Sequence, residues 1–149
     1  MSEIPKLAVY DHQHSMKIDE GLVFKLEKTA LEAIPMVLDR CNFPNSPLSS
    51  LKIVEVSLVD DATIADVHER FMNIAGATDV ITFDHGEIHI SVETAKRQAA
   101  EYFQDFEKEI MLYILHGLLH LAGHEDASDV GYAAMDLHQT ELLSRVWQP

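Results

Sequence analysis

Two histidines four residues apart, followed by an aspartate, form the group in this chain best suited to bind a metal ion. Residues 116–126 read H-G-L-L-H-L-A-G-H-E-D. On a helix, His116 and His120 lie on one face with Cβ atoms roughly 5–6 Å apart, so both imidazoles can bind one metal. Gly123 can adopt the left-handed conformation that ends a helix, and a chain reversing there can return Asp126 to the pair. Three ligands with an open fourth position are typical of a catalytic zinc site.

The segment around the two histidines is predicted to be a buried helix, because most of its residues are apolar. Its polar exceptions form one stripe with spacings of four, three and four residues: Glu109, Tyr113, His116 and His120. Burying a neutral histidine without a partner costs free energy, so two on one stripe indicate a shared purpose. The alternative interpretation is a pair of hydrogen-bonded core histidines without a metal.

The same spacing occurs in the metzincin proteases, whose motif is H-E-x-x-H-x-x-G-x-x-H/D. Those enzymes use the glutamate after the first histidine as general base. The corresponding residue here is Gly117, which has no side chain with which to move a proton. A zinc metallopeptidase is therefore an alternative hypothesis that lacks its acid–base group.

Three sequence blocks resemble the YbeY family of bacterial endoribonucleases, also called rRNA maturation factors. Residues 116–123, H-G-L-L-H-L-A-G, follow that family's signature H-G-x-L-H-L-x-G-Y-D-H without a break. Residues 78–83, T-D-V-I-T-F, are similar to its T-D-V-L-S-F segment, and residues 86–91, G-E-I-H-I-S, are similar to its G-D-I-x-I-S segment. The blocks agree in order and spacing, and the general pattern extends from about residue 50 to the C-terminus.

The chain departs from this family pattern at two places. The third ligand, usually histidine, aligns with Asp126, and the tyrosine and aspartate before it become His124 and Glu125. His124 is the competing third ligand, although it lies closer to the helix end and would need a tighter reversal. A family arginine that is thought to assist the chemistry aligns with Met72, and Arg70 could replace it only if the local backbone shifts.

Length and composition favour one cytoplasmic domain over residues 1–149. The only cysteine, Cys41, excludes an internal disulfide and fits a reducing cytosol. There is no signal-peptide pattern and no apolar run long enough for a membrane span. The net charge of −14, with 11 lysines and arginines, argues against a protein that grips nucleic acid over its whole surface. A ribonuclease must then rely on a local basic patch, the metal's charge or a partner that presents the RNA.

Periodicity and capping residues predict an α+β fold in which helices cover a small sheet of about four strands. The resemblance implies the same fold, with about five helices and a metal cleft at the buried helix carrying HxxxH. Strands are predicted at 6–12, 54–58, 79–83 and 87–91, with a hairpin turn at 84–86. Helices are predicted after the N-caps Asp19, Asp61 and Ser128, and over 92–103 and 106–122.

Three details of this fold are also predicted from single residues. Pro35 should kink or end the first helix, and residues 42–50 should form a loop. The helix after Asp61 should turn Ile64 and Phe71 inward. The last helix should carry a stripe that begins at Val130 and passes through Leu137 to Leu143 or Ser144.

Several other polar residues are candidates for the cleft wall. His85 and His89 lie in or near the hairpin and could line the cleft, or they could be an ordinary turn residue and an exposed strand residue. His68 could hydrogen-bond the cleft wall or be a buried, satisfied histidine. Asp79 should fix a turn or orient a ligand histidine.

These features together predict a single-strand-specific, zinc-dependent endoribonuclease. One Zn²⁺ per chain is expected at His116, His120 and Asp126, and the residues assign no general base. The resemblance supplies RNA as the substrate, and it implies ribosome biogenesis, with maturation of the small-subunit rRNA 3′ end and a ribosome or ribosomal protein as partner. The alternatives are the metallopeptidase and a non-catalytic ribosome-assembly factor that a metal stabilises.

Overall fold

Four strands form one mixed sheet in the computed structural model, which describes residues 4–148. The strands are β1 (Lys6–Asp11), β2 (Ile53–Val59), β3 (Val80–Thr82) and β4 (Glu87–Ser91), in the order β1-β2-β4-β3. β2 is parallel to both β1 and β4, and β3 pairs antiparallel with β4 across the predicted hairpin. Gly86 closes that turn at φ +107°, and a Cβ atom there would lie 2.8 Å from the backbone oxygen of Ile53. The four predicted strands are confirmed.

Six helices cover this sheet within the described residues: α1 (Glu20–Leu38), α2 (Pro47–Ser50), α3 (Asp61–Met72), α4 (Val92–Glu101), α5 (Phe106–Leu121) and α6 (Asp129–Val146). The five long helices are the predicted ones, and α2 is a single turn inside the segment predicted as a loop. The side chains of Asp19 and Ser128 accept hydrogen bonds from Leu22 N and Gly131 N, as expected of N-caps. The α+β prediction is therefore confirmed.

The predicted start and inner face of α3 were wrong in two respects. Its N-cap is Asp60, whose carboxylate accepts from Thr63 N at 2.8 Å, whereas Asp61 is the first helical residue. Two adjacent aspartates can both cap a helix, and Asp61 instead accepts hydrogen bonds from α4. Ile64 is buried as expected, but Phe71 is 64% exposed and meets the rest of the protein through an edge contact with Phe83, with ring centroids 5.4 Å apart.

The predictions for Pro35 and for α6 also need correction. Of the two outcomes predicted for Pro35, an end of the helix is wrong, because α1 continues one turn to Leu38 and Asp39 N donates to Pro35 O at 3.1 Å. A kink at Pro35 stays a prediction. In α6 the predicted stripe faces solvent at Val130 and Leu137, which are 82% and 66% exposed, and it is buried at Leu143. The other buried residues of α6 lie on another face: Met135, Leu142 and Val146.

The main core lies between one face of the sheet and the helices α1 and α5. The sheet contributes alternating aliphatic residues: Leu7, Val9, Val54, Val56, Leu58, Ile88 and Ile90. Gly117 lets α5 lie close to β4, since a Cβ atom there would lie 2.7 Å from Ile88 Cδ1. This contact sets the distance between the sheet and the helix that carries both histidines.

The outer edge of β1 is partly covered by a side chain of α1. The Val9 N–H points away from β2 and donates to Glu27 Oε1 at 2.9 Å. Within residues 4–148, no helix combines the length and apolar character that a membrane span requires.

Candidate metal centre

Three side chains with metal-binding atoms converge at the C-terminal end of α5. His116, His120 and Asp126 each place one potential ligand atom within 4.8 Å of the others. The two Nε2 atoms are 3.0 Å apart, His116 Nε2 is 3.3 Å from Asp126 Oδ2, and His120 Nε2 is 3.7 Å from Asp126 Oδ1. The chain thus brings together the three residues that the sequence pattern selected.

The chain reversal after α5 delivers Asp126 to the histidines. Gly123 has φ +93°, and its N–H donates to His120 O at 3.0 Å. His124 N donates to Leu119 O at 3.0 Å, which completes the helix-ending pattern expected of a left-handed glycine. The carboxylate of Glu125 then accepts from Ala127 N, and from the backbone N and hydroxyl of Ser128, so this loop continues directly into α6.

Hydrogen bonds made by Nδ1 set the tautomer of His116 and of His120. His120 Nδ1 lies 3.0 Å from His124 O, and a carbonyl oxygen only accepts, so Nδ1 carries the hydrogen. His116 Nδ1 likewise lies 3.0 Å from Gln139 Oε1. Burial and the nearby His116 lower the pKa of His120 below its ordinary value of 6.5. With the hydrogen on Nδ1, the Nε2 lone pair of His120 points toward His116 and Asp126, and the Nε2 of His116 faces His120 and Asp126.

This arrangement fits a divalent cation. Two lone pairs and a carboxylate facing one another repel unless a positive charge lies between them. Ligand atoms at about 2.0–2.1 Å from a tetrahedral zinc are roughly 3.3 Å apart, and the observed separations of 3.0, 3.3 and 3.7 Å bracket that value. A metal-bound histidine usually donates its other ring N–H to a nearby acceptor, as both Nδ1 atoms do here.

His124, the competing third ligand, is turned away from this group. Its Nε2–H donates to Arg40 O at 2.6 Å, and its ring lies against that of His138, with centroids 4.7 Å apart. The Arg40 side chain lies 3.0 Å from His138 Nδ1 and donates to Glu141 at 2.8 Å. These contacts join the end of α1 to α6 and hold the loop that carries Asp126.

His116 and Asp126 face an open cleft of about 530 Å³ between α4, α5 and α6. Within the described residues its lining includes four carboxylates and no lysine or arginine; the acidic residues are Asp79, Glu109, Asp126 and Asp136. Three tyrosines also line it: Tyr113 is buried, whereas Tyr102 and Tyr132 are 63% and 65% exposed. The cleft can therefore admit a large ligand, but its walls repel anions.

The other candidate residues lie outside the three-residue group. His68 holds a loop through Gly76 O, at 2.9 Å from its Nδ1. His85 contacts Glu87 and stacks on Phe83, so it belongs to the hairpin surface. Asp79 lines the cleft and fixes the turn before β3 by accepting from Val80 N at 2.8 Å.

His89 is half-buried and is not among the residues lining this cleft. Its Nδ1 is buried with no partner in the described part of the chain, and burial lowers the pKa of the ring.

The residue at the position of the family arginine is not among those that line the cleft. Met72 ends α3 and is 45% exposed, and Arg70 pairs with Asp66 on the surface of the same helix. Of the only adjacent basic pair in the sequence, Lys96 and Arg97, the arginine is bound to Asp61. The described residues thus place no arginine in the cleft lining.

Gly117 also decides against the peptidase hypothesis. The position of the metzincin glutamate faces Ile88 in the core, where a Cβ atom would already be 2.7 Å from Cδ1. A glutamate there would point into the sheet and away from the cleft.

Sequence reasoning missed two residues that position the group. Gln139 holds His116 from α6, and Arg40 holds His124 from the end of α1. The first lies 23 residues from its partner and the second 84, so no local spacing connects them.

Comparison with known proteins gives the family. The family model described as Endoribonuclease YbeY matches residues 8–147. A relative of that name from Symbiobacterium thermophilum is 33% identical over 76% of this chain and 84% of its own. Another, from Nautilia profundicola, is 36% identical over 66% of this chain and 75% of its own.

A solved structure shows the same fold. The solution structure of a Thermotoga maritima protein matches with a TM-score of 0.61 at 26% identity, covering 95% of this chain and 89% of that protein. Taken with the 140 residues of the family match, these findings lead to one conclusion. The chain belongs to the YbeY family of endoribonucleases.

Proposed function

We propose that this endoribonuclease hydrolyses single-stranded RNA with one zinc ion held by His116, His120 and Asp126. The observation that carries the proposal is the convergence of two Nε2 lone pairs and a carboxylate at separations of 3.0–3.7 Å. Two imidazoles and one carboxylate suit zinc better than magnesium or calcium, which prefer oxygen ligands. Three protein ligands also leave a fourth position for water or substrate.

The chemistry divides between the metal and the chain. A bound zinc ion supplies Lewis acidity toward a phosphoryl oxygen and lowers the pKa of water. Gln139 and the backbone carbonyl of His124 hold the two imidazoles in the required tautomer. Arg40 and Glu125 order the loop that presents Asp126.

We infer that ribosomal RNA is the natural substrate and that a ribosome or ribosomal protein presents it, which places the protein in the cytoplasm. Support comes from the family and from charge. A chain with net charge −14 has few cations with which to grip RNA phosphates alone, so a partner that presents the RNA would lower the affinity required.

The first experiment is elemental analysis of the purified protein, of His120→Ala and of Asp126→Ala. We expect about one zinc per chain in the unmodified protein and a loss of zinc in both variants. A matched control is His85→Ala, which removes an exposed histidine outside the cleft and should leave the zinc content unchanged.

The second experiment measures cleavage of single-stranded RNA by the same proteins, before and after chelation. Activity should be lost with the zinc and restored when zinc is added back. Zinc that remains in Asp126→Ala would remove Asp126 from the ligand set. Cleavage that persists at full rate in zinc-free His120→Ala would contradict the proposed role of the metal.

A further inference from the structure

We propose that Tyr102 and Tyr132 form a base-stacking subsite on the rim of the metal cleft, where unpaired bases of the RNA bind. The inference rests on the proposed function, because it names how this cleft holds its RNA. It adds that most of the free energy of RNA binding comes from stacking on aromatic rings and not from lysine or arginine side chains.

The charge of the cleft excludes the usual way of binding RNA. Its lining carries four carboxylates and, within the described residues, no lysine or arginine. A divalent metal offsets two of these negative charges and leaves the lining anionic. Since nucleic-acid affinity normally comes from cations that displace counterions from phosphates, this cleft needs another source of affinity.

The two tyrosines supply such a source from separate helices. Tyr102 caps the end of α4, Tyr132 lies in the first turn of α6, and both line the cleft that contains His116 and Asp126. They are 63% and 65% exposed, so their rings are accessible from the cleft. Every nucleobase has a π-face, so exposed aromatic rings bind single strands without requiring a particular sequence.

The remaining polar side chains suit bases better than phosphates. Gln98 and Gln104 line the cleft with Tyr102, and their neutral amides can both donate to and accept from a base edge. Asp136 lines it with Tyr132 and can accept from an exocyclic amine of a base. A duplex hides these edges and faces, so this lining favours an unpaired strand.

The test measures binding and cleavage separately. Binding is followed with the zinc-loaded protein, by the fluorescence of a short single-stranded RNA containing 2-aminopurine in a stopped-flow mixer, so that the binding phase is read before cleavage. Cleavage is followed as KM and kcat with zinc present. The variants are Tyr102→Ala and Tyr132→Ala, with Tyr102→Phe and Tyr132→Phe to retain the rings. Phe24→Ala is the control, because Phe24 is a 66% exposed aromatic residue of α1 that lies outside this cleft.

We expect each alanine variant to raise Kd and KM by about 5- to 150-fold, which corresponds to about 1–3 kcal/mol for one stacked base. kcat and zinc content should stay close to those of the unmodified protein, since neither ring is a metal ligand. The phenylalanine variants should retain affinity, and the control should be unchanged. The slope of log affinity against log salt should correspond to no more than about two phosphate contacts, at about 0.7 per contact.

Three results would overturn the subsite. The first is an unchanged Kd in both alanine variants, which would point instead to a role in contacts with a protein. The second is a steep salt slope that indicates many phosphate contacts. The third is a parallel loss of zinc and kcat, which would make the tyrosines structural. A different result would separate the two proposals. If the alanine variants lose affinity for the 2-aminopurine RNA and the phenylalanine variants keep it, while neither the unmodified protein nor any variant cleaves RNA, the subsite stands and the proposed function fails.

Discussion

Replacing Gly117 with alanine tests the packing that sets the depth of α5. The added Cβ atom would lie 2.7 Å from Ile88 Cδ1 and 3.0 and 3.1 Å from its Cγ2 and Cγ1. Ile88 is fully buried, so it cannot move without displacing its neighbours. Overpacking of this kind costs about 1–3 kcal/mol, whereas alanine gains about 1 kcal/mol over glycine in a helix. We expect Gly117→Ala to lower the free energy of unfolding by about 1 kcal/mol.

The double-mutant cycle with Ile88→Val shows whether the contact is the cause. Ile88→Val removes the closest atom, Cδ1, and should cost about 0.5–1.5 kcal/mol by itself. In the Ile88→Val protein, Gly117→Ala should leave the free energy of unfolding almost unchanged. The coupling energy between the two substitutions should therefore be about 1 kcal/mol. The free energies come from urea unfolding followed by circular dichroism and by the fluorescence of Trp147, the only tryptophan.

One outcome would refute this reasoning. If Gly117→Ala has the same cost in both backgrounds, with unchanged m-values, contact with Ile88 does not explain why glycine is needed. A further check is zinc content, because a helix displaced from β4 moves both histidines together relative to the loop that carries Asp126.

Two further predictions concern α3 and the end of α4. Burial raises the pKa of Asp61, but hydrogen bonds from Arg97 and two hydroxyls lower it further, so that the pKa lies below 3.8. The ionised carboxylate therefore stabilises the folded protein fully above pH 3.8. This stabilisation is lost as the pH falls through the lowered pKa. Asp61→Asn should therefore cost about 2 kcal/mol at neutral pH and progressively less below pH 3.8, in urea unfolding across pH. Asp66→Asn, in an exposed ion pair, is the control, and an equal, pH-independent loss in both would contradict the assignment. Phe103 has φ +54° and is 97% exposed, so Phe103→Gly should raise stability by about 1 kcal/mol and Tm by about 3 °C. Asn73→Gly, at φ +56°, should gain less, because asparagine tolerates this conformation, and equal gains in calorimetry would refute the strain argument.

The part of the fold that could be predicted depends on local rules. The spacing of His116 and His120 and the left-handed turn at Gly123 are local features, and they are enough to predict that the chain returns Asp126 toward the pair. Periodicity also identifies the strands and the long helices, since each has one apolar face. It does not show which faces are covered, and for this reason Phe71 was wrongly expected to lie inward.

Contacts between distant segments could not be predicted in this way. Gln139 reaches His116 only because α6 packs against α5, and Arg40 reaches His124 only because the end of α1 lies beside the loop. The family pattern predicts an arginine that this chain replaces with Met72, and it contains no information about the cleft tyrosines. Tyr102 and Tyr132 could be identified only from the structure, in which α6 and the end of α4 line the same cleft.

The carboxylate of Glu27 affects how copies of this protein behave in a crowded solution. An unpaired strand edge is a template on which another chain can add a strand and begin an aggregate. On β1 a second chain would first have to displace Glu27 from the Val9 N–H, and the opposite edge, β3, offers only three residues. Repulsion between copies that each carry a net charge of −14 adds to this protection. The sheet can therefore remain open at both edges without inviting growth by strand addition.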